Sequence, residues 1–366
     1  MPFTLENARA GDRAELLDYL QNAFLTNDPN HARFEALYPD LFHATDEAMA
    51  RHRIIREDGK IRACVGWYPM DVRVGACKVR VYGIGQVSCA PELRKGGRMT
   101  ALLSDVCAKM DASGAPLAWL SGWRPRYANF GWEAVGTNLH SSIDKRSLPE
   151  PEPGWRVEEI DASQLGTLDA LSRTASAFEE TSAEIRLERM TRGGKQHRVF
   201  KASRDNDVKA MCVMQAGEGA DLYEWAGDNA GIHAIIAHVL KTQKNVSVTY
   251  SPIDSAARMF WDYASTFNSS LTMLRICDFG ALIKSYAPIL EKRIPAGKGI
   301  TLEIEGGASV KIGVPTGDKI TLNRLKMTRL IFGPVAPSLA FNLKDNLRWL
   351  DQVFPLPFIL PNLSHV

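Results

Sequence analysis

The chain has 366 residues, 45% of them hydrophobic and 23% charged, an ordinary globular composition that excludes disordered, collagen-like and coiled-coil classes and has length for about two or three domains. Lys and Arg number 44 against 42 Asp and Glu, so a formal charge of +2 supplies no net field to attract nucleic acid. Six cysteines are scattered without a C-x-x-C pair and the eight histidines form no H-E-x-x-H, so no disulfide framework or metal site is expected, and the cysteines read as reduced thiols of a cytoplasmic protein.

The N-terminal stretch interleaves charges with apolar residues and lacks the apolar region and cleavage site of a secretory signal. No run of about eighteen apolar residues occurs, so no membrane span is expected. Asp12 is placed as the cap of a helix carrying Leu16, Leu17, Leu20 and Phe24, ended by turn residues at 27–30. The runs RIIRED, IRACVGWYPMDVRV and CKVRVYGIGQVSCA then predict an antiparallel meander with a hairpin at Asp58-Gly59. A glycine-containing loop follows Pro91. Helical spacing resumes over 99–110, with Leu102, Leu103, Val106 and Met110 on one side, and the strand PLAWLSG, the tight segment RPRYANFGWEAVG and a strand near 138–143 come next.

Composition shifts at 148–154, where LPEPEPG gathers three prolines and a glycine; this is the first boundary. From Trp155 to about Cys277 the order is again mixed. It comprises an Arg/Glu-rich helix, strands at HRVFKAS, VKAMCVMQ and LYEWAG, a helix over 231–241, the strand NVSVTY and an amphipathic helix from Asp254, with no glycine loop. From Asp278 come the helix ALIKSYAPILEKR, β-like ITLEI and ASVKIGV, alternating Leu, Met and Phe around LKMTRLIFG, a helix from Pro337 and the apolar tail FPLPFILPNLSHV. The reading is mixed α/β, or α+β, in three segments: 1–147, 148–277 and 278–366.

The stretch VSCAPELRKGGRMTALL carries the chemistry. Its strand ends near Cys89, and Pro91 cannot donate to a ladder, so the backbone of Val87, Ser88 and Cys89 is left free for a ligand. The turn Arg94-Lys95-Gly96-Gly97-Arg98-Met99 presents successive amides at a helix N-terminus among three cations, which suits a pyrophosphate. The plainer reading of that turn is a surface loop with solvated charges.

The run V-x-x-A-P-x-x-R-x-x-G resembles the acetyl-CoA-binding motif of the GNAT N-acetyltransferases, Arg/Gln-x-x-Gly-x-Gly/Ala, with Arg94, Gly97 and Met99 on its positions. Met99 departs from the usual Gly or Ala. A basic loop with a larger residue there is similar to the enhanced-intracellular-survival (Eis) branch, as is Tyr127-Ala128-Asn129-Phe130-Gly131-Trp132 to its Tyr-x-x-Phe-Gly-aromatic turn. The resemblance implies tandem GNAT folds, the first (1–147) active and the second (148–277) degenerate, and a sterol-carrier-protein-like domain (278–366) whose C-terminus enters the active site. It implies acetyl-CoA as cosubstrate without a metal, direct acetyl transfer to a primary amine of a small polyamine-like molecule or a lysine side chain, and a homo-oligomer.

The resemblance also assigns roles: Tyr127 as general acid, the backbone N–H of Cys89 as oxyanion donor and the carboxylate of Val366 as general base. His365, with an ordinary pKa of about 6.5, competes as base. A nucleophilic Cys89 has no evident His partner. Asp28 and Glu35 are either walls of an acceptor pocket or solvated carboxylates, Phe130 and Trp132 read as packing residues, and Trp225 as core or interface. Lipid carriage by the last domain is set aside because that domain delivers the C-terminus. The alternative to an enzyme is a non-catalytic acyl-CoA-binding or scaffold protein, motivated by Met99 and the large remainder of the chain.

Overall fold

The computed structural model describes residues 3–25, 33–194, 197–217, 219–313 and 318–366. Its alternating apolar runs are strands. β1 (Thr4–Asn7), β2 (His52–Glu57), β3 (Lys60–Val74) and β4 (Cys77–Cys89) make the antiparallel meander, and Asp58 and Gly59, at φ 50° and 73°, form the expected tight turn between β2 and β3. Helix Arg98–Ala112 crosses over to β5 (Leu117–Leu120), which lies parallel to β4. Its Leu102, Leu103, Val106 and Met110, spaced for one helix face, are buried against Val65, Ile84 and Ala118.

After β6 (Glu133–Asp144), residues 148–154 belong to no helix or strand, and then the pattern repeats. β7 (Arg156–Ile160), β8 (Ala177–Glu179), β9 (His197–Arg204), β10 (Asp207–Ala216) and β11 (Ala220–Gly227) precede helix Asn229–Val239, which crosses to β12 (Asn245–Tyr250), parallel to β11. β13 (Thr266–Ile276) closes the repeat, but not on its own unit. The sheet order is β1-β2-β3-β4-β5-β13-β6-β12-β11-β10-β9-β7, with β8 on β3. Each parallel crossover leaves an open edge, at β5 and at β12, and each edge is covered by an antiparallel strand from the other half: β13 on β5, β6 on β12.

The last segment forms a separate sheet of β14 (Gly299–Ile304), β15 (Ser309–Gly313) and β16 (Asp318–Leu322), in the order β15-β14-β16. Helices Phe279–Ser285, Ala287–Arg293 and Arg324–Phe332 accompany it. Its core is continuous with one face of the large sheet, where Val72, Val79, Val81, Leu117 and Trp119 pack in one cluster with Tyr286, Ile331, Phe332 and Phe358. Among the described residues no helix is long and apolar enough to cross a membrane.

Some local expectations change: the run ALIKSYAPILEKR, read as one helix, breaks at Tyr286 into helices Phe279–Ser285 and Ala287–Arg293. Asp12 is not a cap residue: Arg9 holds that position, and Asp12, third in the turn Ala10–Asp12, accepts from the Arg9 amide at 2.8 Å before helix Arg13–Leu25. The stop expected at 27–30 lies outside the described residues. LKMTRLIFG is a helix, because Asn323 caps it through the Lys326 amide at 2.9 Å and Met327, Leu330 and Ile331 form one buried face.

Candidate active site

β4 and β5 stay parallel neighbours only as far as Ile84 and Leu120. Just beyond, β4 bulges: Gly66 pairs with Gly85 and Cys64 with Ser88, which sets Val65 opposite both Gln86 and Val87. Gln86 takes a φ of 51°, an unfavourable region for a residue with a side chain, and its side chain is tied down. The Tyr68 hydroxyl donates to Gln86 Oε1 at 2.5 Å and lies 2.9 Å from His52 Nε2. Gly66 makes room for this latch, since a Cβ there would stand 2.2 Å from the Tyr68 hydroxyl and 2.4 Å from Gln86 Oε1.

The bulge decides which backbone groups face the parting strands. The Ala90 amide donates to Arg62 of β3 at 2.9 Å, so by the alternation of an antiparallel ladder the Cys89 amide and carbonyl turn away from β3. The Cys89 carbonyl accordingly meets Arg94 Nε at 3.4 Å. Ser88 is placed differently from expectation: its backbone faces Cys64 in the ladder and its hydroxyl donates to the Gln86 carbonyl at 3.1 Å. The Cys89 thiol is half-buried and its pKa is raised by that burial, which disfavours a thiolate nucleophile.

In the basic loop, Lys95 and Gly97 take φ values of 66° and 76°. Gly97 is the N-cap of helix Arg98–Ala112 and has no side chain with which to accept the first amides, and no acidic residue stands in the first turn. Those amides stay available to an anion, in the field of the helix dipole. Arg94, Lys95 and Gly96 are exposed. Arg98 is engaged elsewhere, with Nε and Nη2 on Glu57 at 2.6 and 3.0 Å, so its guanidinium anchors the loop and its amide is what it offers a ligand. Met99 is half-buried against the cluster that holds Leu103 and Val106.

Tyr127 ends helix Arg124–Tyr127 and is 6% exposed. Its ring lies over Gly122, where a Cβ would come within 2.5 Å of Cε2, and it shares one apolar cluster with Ile84, Leu120, Val87, Cys89 and Met99. Burial raises its pKa above the ordinary phenol value, and the neighbouring Arg126 opposes that rise. Phe130 and Trp132 pack in the same cluster, with the Arg275 guanidinium 5.6 Å from the Trp132 ring. Trp225 is bonded through its indole N–H to Asp254 at 3.1 Å and packs edge-on against Phe260, a core role.

The end of the chain comes to the same strand. A Cβ at Gly83 would stand 2.6 Å from Val366 Cγ2, and one at Gly85 would stand 3.2 Å from the Val366 carboxyl carbon. Both glycines lie on the face of β4 turned away from helix Arg98–Ala112, because they alternate with Ile84, which packs on that helix. The His365 ring packs on Trp119 with centroids 4.8 Å apart, while the residue as a whole stays exposed. A cavity of about 560 Å³ lined by Tyr38, His140, Gln215, Asp221, His365 and Val366 opens beside the tail. A second, of about 290 Å³, shares His140 and His365 with it and reaches Gly122.

Asp28 lies outside the described residues. Glu35 sits at the surface 3.6 Å from Arg13 Nη2, a partly solvated ion pair. Sequence reasoning missed the seat itself. Its signal was the G-x-G of YGIGQV, two glycines on one face of a strand that otherwise carries side chains there.

Residues 4–135 match the family described as "Acetyltransferase (GNAT) domain". A sequence comparison with the curated proteins finds no match. Among solved structures, a conserved protein of unknown function from Enterococcus faecalis V583 is similar with a TM-score of 0.75 at 15% identity, over 96% of this chain and 97% of that one. A GCN5-related N-acetyltransferase from Anabaena variabilis gives 0.72 at 15% identity, over 96% of both chains. Eis1 from Mycobacterium abscessus gives 0.63 at 12% identity, over 91% of this chain and 90% of that one. The fold is GNAT-like mixed α/β with one large sheet, and the protein is an acetyltransferase.

Proposed function

We propose that this acetyltransferase is an acetyl-CoA-dependent N-acetyltransferase of Eis-like organisation, moving the acetyl group directly to a primary amine of a small polyamine-like molecule or a lysine side chain. In this reading residues 148–277 are a degenerate GNAT-like unit, residues 278–366 are a sterol-carrier-like unit, and the chain works as a cytoplasmic homo-oligomer. The observation that carries the proposal is the seating of Val366 on Gly83 and Gly85, next to the point where β4 parts from β5.

The pyrophosphate lies on the uncapped amides after Gly97 and beside Arg94 and Lys95, and the pantetheine arm runs between the parted strands to bring the thioester to Val87 and Cys89. The Val366 carboxylate takes the proton from the acceptor amine. Desolvation strengthens a carboxylate as a base, and this seat is apolar, with Tyr68 and Met70 beside the two glycines. The amine nitrogen attacks the thioester carbon, the Cys89 amide receives the developing oxyanion, and such a donor contributes about 3 kcal/mol. The C–S bond breaks, and the departing thiolate takes the proton of Tyr127, which its raised pKa keeps protonated at neutral pH. His365, its ring packed on Trp119 and its carbonyl bonded by Arg192, serves to place the last residue.

Thiol release from acetyl-CoA, measured with a panel of polyamines, aminoglycosides and lysine peptides, tests the reaction. Tyr127→Phe and a chain ending at His365 are each expected to lower kcat by about 100-fold or more with CoA affinity retained. Absence of thiol release with every amine, despite acetyl-CoA binding, overturns the proposal.

A further inference from the structure

The second unit repeats the first unit's cleft, and the tail lies along it. β11 and β12 are parallel neighbours only over Ala220, Asp221 and Leu222, and β11 bulges at Tyr223, because Val213 pairs with Glu224 while Met214 pairs with Leu222. These are the marks β4 bears at Gln86 and Val87. No anion cradle follows them. β11 runs directly to helix Asn229–Val239, whose N-cap Asp228 accepts from the Ala230 amide at 2.7 Å, so a carboxylate stands where an incoming phosphate would need bare amides.

The tail takes part of the space instead. On the Trp225 side of the parted β11 about 40 Å³ remains open, walled by Tyr223, Trp225 and Thr249 and by Ile359, Leu360 and Asn362 of the tail, while the cavity of about 560 Å³ lies open along Leu222, Tyr223, Val248 and the tail's Leu363. Leu363 is buried in the second unit's core with Val199, Met211, Val213 and Ala226. Two arginines then fix the final residues. Asp40 of the first unit, almost wholly buried, accepts from Arg189 Nε at 2.9 Å and from Arg192 Nη2 at 2.7 Å, and Glu179 accepts from Arg189 Nη1 at 2.6 Å. Arg192, held in this way, donates from Nη1 to the His365 carbonyl, one residue before the terminus.

We propose that the second unit's cleft has become a mount for the terminal carboxylate, in which Leu363 is the anchor and Arg192 the positioning residue that sets Val366 on Gly83 and Gly85. The inference rests on the reading of Val366 as base. A chain end frays unless it is tied down, and a base must be held to a fraction of an ångström. An arginine already locked by a carboxylate loses little further freedom in bonding the tail, and lysine cannot reproduce its fork.

Steady-state kinetics and carboxypeptidase release of Val366, followed by mass spectrometry on the full chain, test the mount. Arg192→Gln is expected to lower kcat by about 10- to 100-fold, to leave the acetyl-CoA KM within about 2-fold and to speed release of Val366, with Arg192→Lys recovering part of both losses. Leu363→Ala, which leaves the arginine–carboxylate cluster in place, is expected to show the same split and the same exposure of the tail. Unchanged kcat and unchanged protection of Val366 in either Arg192→Gln or Leu363→Ala overturn the proposal. If deletion of Val366 leaves kcat intact while Arg192→Gln still exposes the tail, the base assignment fails and the mount stands.

Discussion

The isopropyl group of Val366 occupies the space a side chain at Gly83 would need, with Cγ2 at 2.6 Å from the position of a Cβ there and Met70 Cε at 2.9 Å. A strand interior is a costly place for glycine, because it forgoes packing and gives up more backbone entropy than alanine would. The sheet accepts that cost at two alternate positions, 83 and 85, both of them under the C-terminal residue.

Gly83→Ala therefore acts on the tail more than on the strand. The backbone at 83 is not left-handed, so alanine fits the strand, and the methyl group displaces Val366. The expected result is a fall in kcat of about 10- to 100-fold with the acetyl-CoA KM and the thermal midpoint close to wild type. Initial rates of thiol release and a melting curve check it. A variant with full kcat shows that the terminal residue does not need this seat.

The cations of the loop separate by role. Arg94 is exposed and bonds the Cys89 carbonyl at a long 3.4 Å, whereas Arg98 is paired twice with Glu57. Arg94→Gln is expected to weaken CoA binding by about 3- to 10-fold and to flatten its dependence on ionic strength. Arg98→Gln is expected to lower Tm more than it alters that salt dependence. Isothermal titration with CoA at two salt concentrations, with melting curves for both variants, measures this, and equal effects of the two substitutions contradict the division of roles.

One buried histidine predicts how stability depends on pH. Burial holds His52 at a pKa of about 4, below the ordinary value near 6.5. Above pH 6.5 it is neutral whether the chain is folded or not, and it contributes nothing. As pH falls from 6.5 to 4 the unfolded chain takes up this proton and the folded chain does not, so stability declines across that window, by up to about 3 kcal/mol. Urea midpoints at pH 7.5 and 4.5 read the decline. His52→Gln, less stable at pH 7.5 through loss of its bond to Tyr68, should lose less than wild type on acidification; an equal loss removes His52 from the account.

Features that place a backbone demand on one residue were legible without coordinates. Gly97 and Gly131 both take left-handed φ values, 76° and 92°, and the R-K-G-G loop and the F-G turn show them as glycines at fixed distances from Arg94 and Tyr127. The Asp58-Gly59 hairpin belongs with them. Contacts between distant segments were not legible: Glu57 and Arg98 pair across 41 positions, and nothing near either residue announces the other. Gly83 and Gly85 looked like ordinary strand glycines because what rests on them comes from the far end of the chain. The exchange of β6 and β13 was hidden for the same reason, since the period of a strand says which face is buried and not which strand lies alongside.

That exchange also governs the order in which the molecule can be completed. As the chain leaves the ribosome, the edge of β5 waits for a partner that lies beyond most of the second repeat, and only when β13 has emerged can the first half close. A gene cut at the proline-rich linker would thus yield two fragments with bare edges instead of two domains, and while the edge is open the growing polypeptide needs a chaperone or a neighbouring surface to keep it from pairing with another copy.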